Sequence, residues 1–170
     1  MPAMSSDPVL VVRRVSGVDL RATLELLVNQ QRAQGNEVTE DTLRPVVQDA
    51  LEDSTRTLML GAYHEGLPGF AHGKMVGVLM MTVTISLEQA GEVGWIDELF
   101  VRSDYRKKGL AQRMLSMALG WAEARGLRSI DLEVGEKHEP EPATRLYQQQ
   151  GFQRINRARL TLRLARPKKA

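Results

Sequence analysis

The chain has 170 residues, enough for one domain with a substantial core, and its 42% hydrophobic and 26% charged content excludes a disordered or fibrous chain. It has no cysteine, which excludes disulfide scaffolds, thiolate zinc sites, iron–sulfur centres and cysteine nucleophiles. The net charge of +2 is uneven: residues 151–170 hold seven basic groups and no acid, leaving 16 basic and 21 acidic groups, a net of −5, in residues 1–150. An acidic body with a basic end does not support a nucleic-acid-binding surface. Residues 1–8 lack the charged start and apolar run of a signal peptide, and no apolar run reaches the roughly 20 residues that cross a bilayer. A cytoplasmic protein with no membrane partner is expected.

Residues 9–15 (VLVVRRV) are rich in β-branched side chains and predict a strand. Residues 19–32 carry Leu20, Leu24, Leu27 and Val28 at helical spacing, and a second helix is predicted from Thr39 to about Glu52. A strand follows at 56–64 (RTLMLGAYH), then a Gly- and Pro-rich loop at 65–73. Residues 74–87 and 92–102 predict a long hairpin that turns near 89–91. Residues 111–125 place Met114, Leu115, Ala118, Trp121 and Ala122 on one helical face, and Gly126 stops that helix. A strand at 129–134, a helix at 143–150 and strands at 152–155 and 160–164 complete the order. The pattern is α+β, with one parallel crossover from strand 92–102 through a helix to strand 129–134. The whole of 1–170 reads as a single domain.

The most specific stretch is Ser103-Asp104-Tyr105-Arg106-Lys107-Lys108-Gly109-Leu110-Ala111, between a strand and a helix. Amides at a helix N-terminus, a glycine that lets backbone approach a ligand, and three cations make an anion site suited to a phosphate or pyrophosphate. The stretch lacks the Lys-Ser/Thr ending of a Walker A loop and the three glycines of a dinucleotide fingerprint.

Arg106-x-x-Gly109-x-Ala111 resembles the [Q/R]-x-x-G-x-[G/A] signature of the GNAT superfamily of N-acetyltransferases. Ile96-Asp97-Glu98-Leu99-Phe100-Val101 looks like the strand before that loop, and Leu146-Tyr147-Gln148-Gln149-Gln150-Gly151-Phe152 looks like the family's L-Y-x-x-x-G-F stretch. The likeness covers about 95–155 closely and is nearest the branch that acetylates small amines. It implies a mixed, mostly antiparallel central sheet flanked by helices, with a parallel pair that splays around the CoA site. It also implies acetyl transfer from acetyl-CoA to a small or peptide amine. The amides of Arg106, Lys107, Lys108, Gly109, Leu110 and Ala111 would hold the pyrophosphate. The main chain of Leu99, Phe100 and Val101 would pair with the pantetheine arm. One departure stands out: Pro140 occupies the place of the family's CoA-binding Asn, about seven residues before the tyrosine, with His138 nearby.

A primary amine is mostly protonated at neutral pH, so a base must take its proton. Asp97 and Glu98 are the candidates. On a regular strand they point to opposite faces, Asp97 with Leu99 and Val101, Glu98 with Phe100; Asp97 is placed slightly ahead. Tyr147 is the candidate general acid for the departing thiolate, by its match to the family tyrosine. Without cysteine, no acyl-cysteine route is open and direct attack in a ternary complex remains. The acceptor side is expected from helices 19–32 and 39–52, loop 65–73 and strand 74–87, with Glu25, Glu37, Glu40 and Asp41 drawing in a cation. Met75, Met80, Met81, Trp95 and Trp121 read as core, and His64, His72 and His138 lack metal-ligand spacing, so no metal is expected. A homodimer is expected because edge strands invite pairing. The alternative is a GNAT-like module that binds CoA and assembles without catalysis.

Overall fold

The computed structural model describes residues 7–135 and 142–165. The elements are β1 (Leu10–Arg14), α1 (Leu20–Ala33), α2 (Glu40–Glu52), β2 (Thr57–His64), β3 (Lys74–Ser86), β4 (Gly91–Val101), α3 (Leu110–Arg125), β5 (Ile130–Leu132) and α4 (Pro142–Gln149). Each lies within two residues of its predicted bounds. They fall in two compact units, one ending at Glu133 and one beginning at Val134.

The first unit is built on a five-stranded sheet in the order β1-β2-β3-β4-β5. All pairs are antiparallel except β4 with β5, which is parallel. A parallel pair needs a crossover long enough to return the chain, and α3 supplies it.

Alternation sorts the strand residues between two helical layers. Met59, Tyr63, Met75 and Val78 pack with Leu24, Leu26, Leu27, Val47 and Ala50 of α1 and α2. On the other face Leu110, Met114, Leu115, Ala118 and Ala122 of α3 are buried. With both faces covered, β2 is buried from Thr57 to Tyr63. The methionines divide: Met75 and Met81 are core, whereas Met80 is half-buried beside Glu98. The two tryptophans are also half-buried, so neither is the core anchor the sequence suggested. The guanidinium groups of Arg14 and Arg125 lie 5.9 and 5.3 Å from the centre of the Trp121 ring.

The entry to α1 is fixed by an ion pair. Asp19, 4% exposed, accepts from both Nη atoms of Arg13 at 2.8 and 3.0 Å and from the Ser16 amide at 2.9 Å. Arg13 in turn covers the Tyr63 ring at 3.7 Å. Burial pushes the Asp19 carboxyl up, but the Arg13 and Ser16 hydrogen bonds outweigh it and hold the group below its ordinary value.

In the second unit the strands expected at 152–155 and 160–164 are not formed. Residues 152–165 carry no strand, and Leu160, Leu162 and Leu164 are 93%, 85% and 83% exposed. Alternating sequence makes a strand only where a neighbour completes the hydrogen-bond ladder.

Candidate functional site

β4 carries the site, and its regular pleat breaks at the critical place. Met80 of β3 pairs with Glu98, but Met81 pairs with Ile96, so Asp97 is an extra residue in a β-bulge. The bulge puts Ile96 and Val101 on one face although five positions separate them, since their β3 partners Met81 and Gly77 lie four apart; both are buried, at 6% and 8% exposed. The face assignment from strict alternation therefore fails at Asp97. Asp97 is exposed and accepts from the Thr82 hydroxyl at 3.0 Å.

Glu98 is half-buried, against the end of α1. Its carboxylate accepts from Gln31 Nε2 at 2.9 Å, and Gln31 Oε1 accepts from Asn36 Nδ2 at 2.8 Å. Burial pushes the Glu98 carboxyl above its ordinary value; hydrogen bonds from Gln31, Gln30 and the Leu99 amide pull the other way, and Asp97 adds a smaller upward push. Neither glutamine stood out in the sequence. The signal that could have drawn attention to this corner is Gly35-Asn36 just past a predicted helix.

The parallel register joins Gly94–Ile96 to Ile130–Leu132 and stops. Beyond it, β4 runs on to Val101 with β3 as its partner. The two strands therefore part next to Asp97 and Glu98. A backbone edge opened this way accepts an extended, amide-bearing chain as an added strand.

Past β4 the chain makes a 3-10 turn at Ser103–Tyr105 and enters α3 through two left-handed residues, Lys107 at φ 60° and Gly109 at φ 74°. Gly109 supplies a conformation that L side chains resist, and a Cβ there would still meet nothing within 4 Å, so the space above it is open. The first helical bond runs from Arg113 N–H to the Gly109 carbonyl at 3.0 Å. The amides before it have no intrahelical acceptor and face outward with the positive end of the helix dipole. Lys107 and Lys108 are exposed at this mouth. Arg106 is exposed there too, with its Nε donating back to the Val101 carbonyl at 3.0 Å. The turn is anchored by Tyr105, whose hydroxyl lies 2.8 Å from His64 Nδ1. This loop fits a pyrophosphate by its donors, charge and open approach.

Loop 65–73 does not stand beside Glu98. It follows His64 and precedes Lys74, and Met80, the partner of Glu98, lies six residues further along β3. At about 3.3 Å per residue that is roughly 20 Å away. An open cavity of about 500 Å³ there is lined by Arg13, Ser16, Glu65, Phe70 and His72 among others. Of the acids expected to draw in a cation, Glu40 pairs with Arg44, while Glu25, Glu37 and Asp41 are exposed.

Tyr147 lies in the second unit and gives L-Y-x-x-x-G-F a physical reading. The Phe152 amide donates to the Tyr147 carbonyl at 3.0 Å and the Gly151 amide to Gln148 at 3.0 Å. That is a Schellman helix stop, in which the two residues spanning it touch. Here they are Tyr147 and Phe152, edge to face at 5.8 Å. Pro140 and His138 lie outside the described residues. Among the described residues no cluster of His, Asp or Glu could hold a metal ion, and no helix is long and apolar enough to cross a membrane.

Comparison with known proteins agrees with this fold. The model of the acetyltransferase (GNAT) family matches residues 22–152. An uncharacterized N-acetyltransferase of Methanocaldococcus jannaschii is 32% identical over 83 residues, 48% of this chain and 36% of that protein. The chain thus spans about a third of the length of that curated relative. Among solved structures, a probable acetyltransferase superposes with a TM-score of 0.76 at 14% identity, covering 92% of this chain and 99% of the other. A predicted acetyltransferase with acetyl-CoA from Clostridium acetobutylicum gives 0.70 at 17% identity, covering 91% and 96%. With the family's model matching most of its length, the chain belongs to the GNAT acetyltransferase family.

Proposed function

We propose that the chain is an N-acetyltransferase that moves the acetyl group of acetyl-CoA to a primary amine, small or peptidic, by direct attack in a ternary complex. The observation that carries the reading is Glu98: a half-buried carboxylate, held among the described residues by amides rather than by a cation, next to the place where β4 and β5 part. The amides of residues 106–111 hold the pyrophosphate, and the main chain of Leu99, Phe100 and Val101 receives the pantetheine arm. The nitrogen acceptor is supported by the curated relative's name. The family match from 22 to 152 crosses both units, which supports one catalytic domain over 1–170.

An alkylamine with a pKa near 10.4 is only about one part in a thousand neutral at pH 7. Glu98 acts as the base, directly or through one water, and its raised pKa brings it nearer the working pH. The amine lone pair forms the C–N bond at the thioester carbon. The C–S bond then breaks, and its electron pair leaves on sulfur. Glu98 first takes the ammonium proton and passes it to solvent, which frees the lone pair; after attack it takes the second nitrogen proton, while the thiolate takes a proton from the Tyr147 hydroxyl, which solvent restores. A thiol of pKa about 8.5 leaves tolerably even without that proton, so Tyr147 contributes less than Glu98. The chain has no cysteine to carry an acyl intermediate.

The same proposal includes a cytoplasmic homodimer, supported by the sheet edges at β1 and β5; light scattering after size exclusion checks the dimer. The activity is tested by following free thiol release from acetyl-CoA against polyamines, aminoglycosides, amino acids and short peptides. Turnover with at least one amine, lost in E98Q, is the expected result. Turnover with none, by protein that binds CoA, overturns the reading.

A further inference from the structure

The end of α1 is shaped to serve Glu98. The Asn36 amide donates to the Gln31 carbonyl at 3.0 Å and the Gly35 amide to Arg32 at 2.9 Å, with Gly35 at φ 83°. This is a Schellman stop, and it folds the chain back so that Asn36 lies beside Gln31. The two side chains then bond in one direction, Asn36 Nδ2 to Gln31 Oε1 at 2.8 Å and Gln31 Nε2 to Glu98 Oε2 at 2.9 Å. An ionised carboxylate accepts only, so it requires the nitrogen of Gln31. That leaves the oxygen of Gln31 needing a donor, and Asn36 is that donor.

We propose that Gln31 and Asn36 are positioning residues for Glu98: a one-way amide relay that fixes the carboxyl group and favours its ionised form. Neither amide touches the reacting atoms; both act through Glu98. The inference rests on the reading of Glu98 as the base. Among the described residues, the main groups acting on Glu98 are Gln30 and Gln31 from α1 and the Leu99 amide and Asp97 from β4, with Met80 opposite on β3. Among them only Asp97 carries charge, so the amides are the main force opposing burial. If the relay works as a unit, Asn36 has no route to Glu98 except through Gln31.

The test is a carbon-13 NMR titration of the Glu98 carboxyl, assigned by its disappearance in E98Q, in the wild type, Q31L, N36L and the double variant. A hydrogen bond to a charged group is worth enough to move a titration by about one pH unit. Q31L is expected to raise the Glu98 midpoint by about that much, and N36L to raise it less. In the double variant the midpoint should equal that of Q31L alone, because Asn36 acts through Gln31. The acid limb of kcat/KM should move with the midpoint. Unmoved midpoints, or shifts that simply add, overturn the relay. N36L keeps the test open if Q31L fails to fold, since Asn36 lies outside the buried core. The two readings fail separately. If E98Q retains turnover, Glu98 is not the base whatever the midpoints do; if E98Q is inactive and the midpoints stay, the base stands and the relay falls.

Discussion

Two carboxylates sit at opposite ends of α1 and are treated in opposite ways. Asp19, at the helix entry, is buried and clasped by both Nη atoms of Arg13. Glu98 meets the exit of the helix through Gln31, with amide donors and, among the described residues, no paired cation. The helix dipole has opposite signs at the two ends, favouring ionisation of the first and opposing it in the second. The first is held below its ordinary value and the second above it. An acid tied to a guanidinium is a fixed charge that positions structure. An acid desolvated and held by amides is moved up toward the working pH, the direction that general-base chemistry needs.

The largest expected effect separates them by activity. Replacing Glu98 with Gln keeps the shape and removes the base, so kcat should fall by about 10²- to 10⁴-fold. Stability should hold. A raised carboxyl contributes stability below its unfolded pKa and loses it as pH rises through the folded value. At neutral pH the ionised Glu98 therefore works against the fold, and E98Q should melt no lower than wild type. Steady-state kinetics beside thermal melts at pH 7 check both halves. A large drop in melting temperature would make Glu98 a structural acid like Asp19.

D19A should show the reverse. Removing one partner of a buried pair costs about 3–5 kcal/mol, and here about 3, because Arg13 keeps 35% of its side-chain surface in water. The pH sign is also opposite. The lowered Asp19 pKa contributes stability above its unfolded value of about 3.9, and that contribution is lost as pH falls through the folded value. Urea unfolding of wild type and D19A should differ at pH 7 and converge toward pH 2. A gap that persists at low pH would mean that the packing of Arg13 on Tyr63, not the charge pair, fixes the entry to α1.

A third region sharpens the contrast because it works through backbone. Gly109 holds φ 74° at the mouth of α3. A β-branched residue there is strained by about 1–2 kcal/mol, so G109V should weaken CoA about 10-fold by calorimetry. The chemical step at saturating acetyl-CoA should change far less. Equal losses in affinity and kcat would show that loop and base are one cooperative unit.

That loop was legible in the sequence and the Glu98 corner was not, for a physical reason. Arg106-x-x-Gly109-x-Ala111 is local: one glycine, neighbouring cations and a helix start determine the geometry within a few residues. Helices α1 and α3 were legible from periodicity, because one face of each packs on a core, and β1 from its run of β-branched residues. The environment of Glu98 is tertiary. It needs the C-terminal stop of α1, the register of β3 on β4, and a bulge that nothing in Ile96-Asp97-Glu98 announces. The same limit explains residues 160–164, whose alternation is perfect and whose strand is absent.

The smallest effect tests the bulge itself. Strict alternation set Asp97 and Glu98 on opposite faces without saying which one meets the cleft, and Asp97 was placed slightly ahead as base; the extra residue leaves it exposed, bonded to Thr82. In D97N the Thr82 hydroxyl still has an oxygen to bond, so the bulge should persist. What goes is one exposed negative charge, which adds only the least of the upward influences on Glu98. Exposed charges are well screened, so kcat/KM should change by less than about 3-fold. Its acid limb should shift slightly to lower pH, since removing a negative neighbour eases ionisation of Glu98. A pH–rate profile reads both quantities at once. If D97N instead loses as much as E98Q, the proton leaves through Asp97, and the contrast drawn between the two ends of α1 no longer identifies the base.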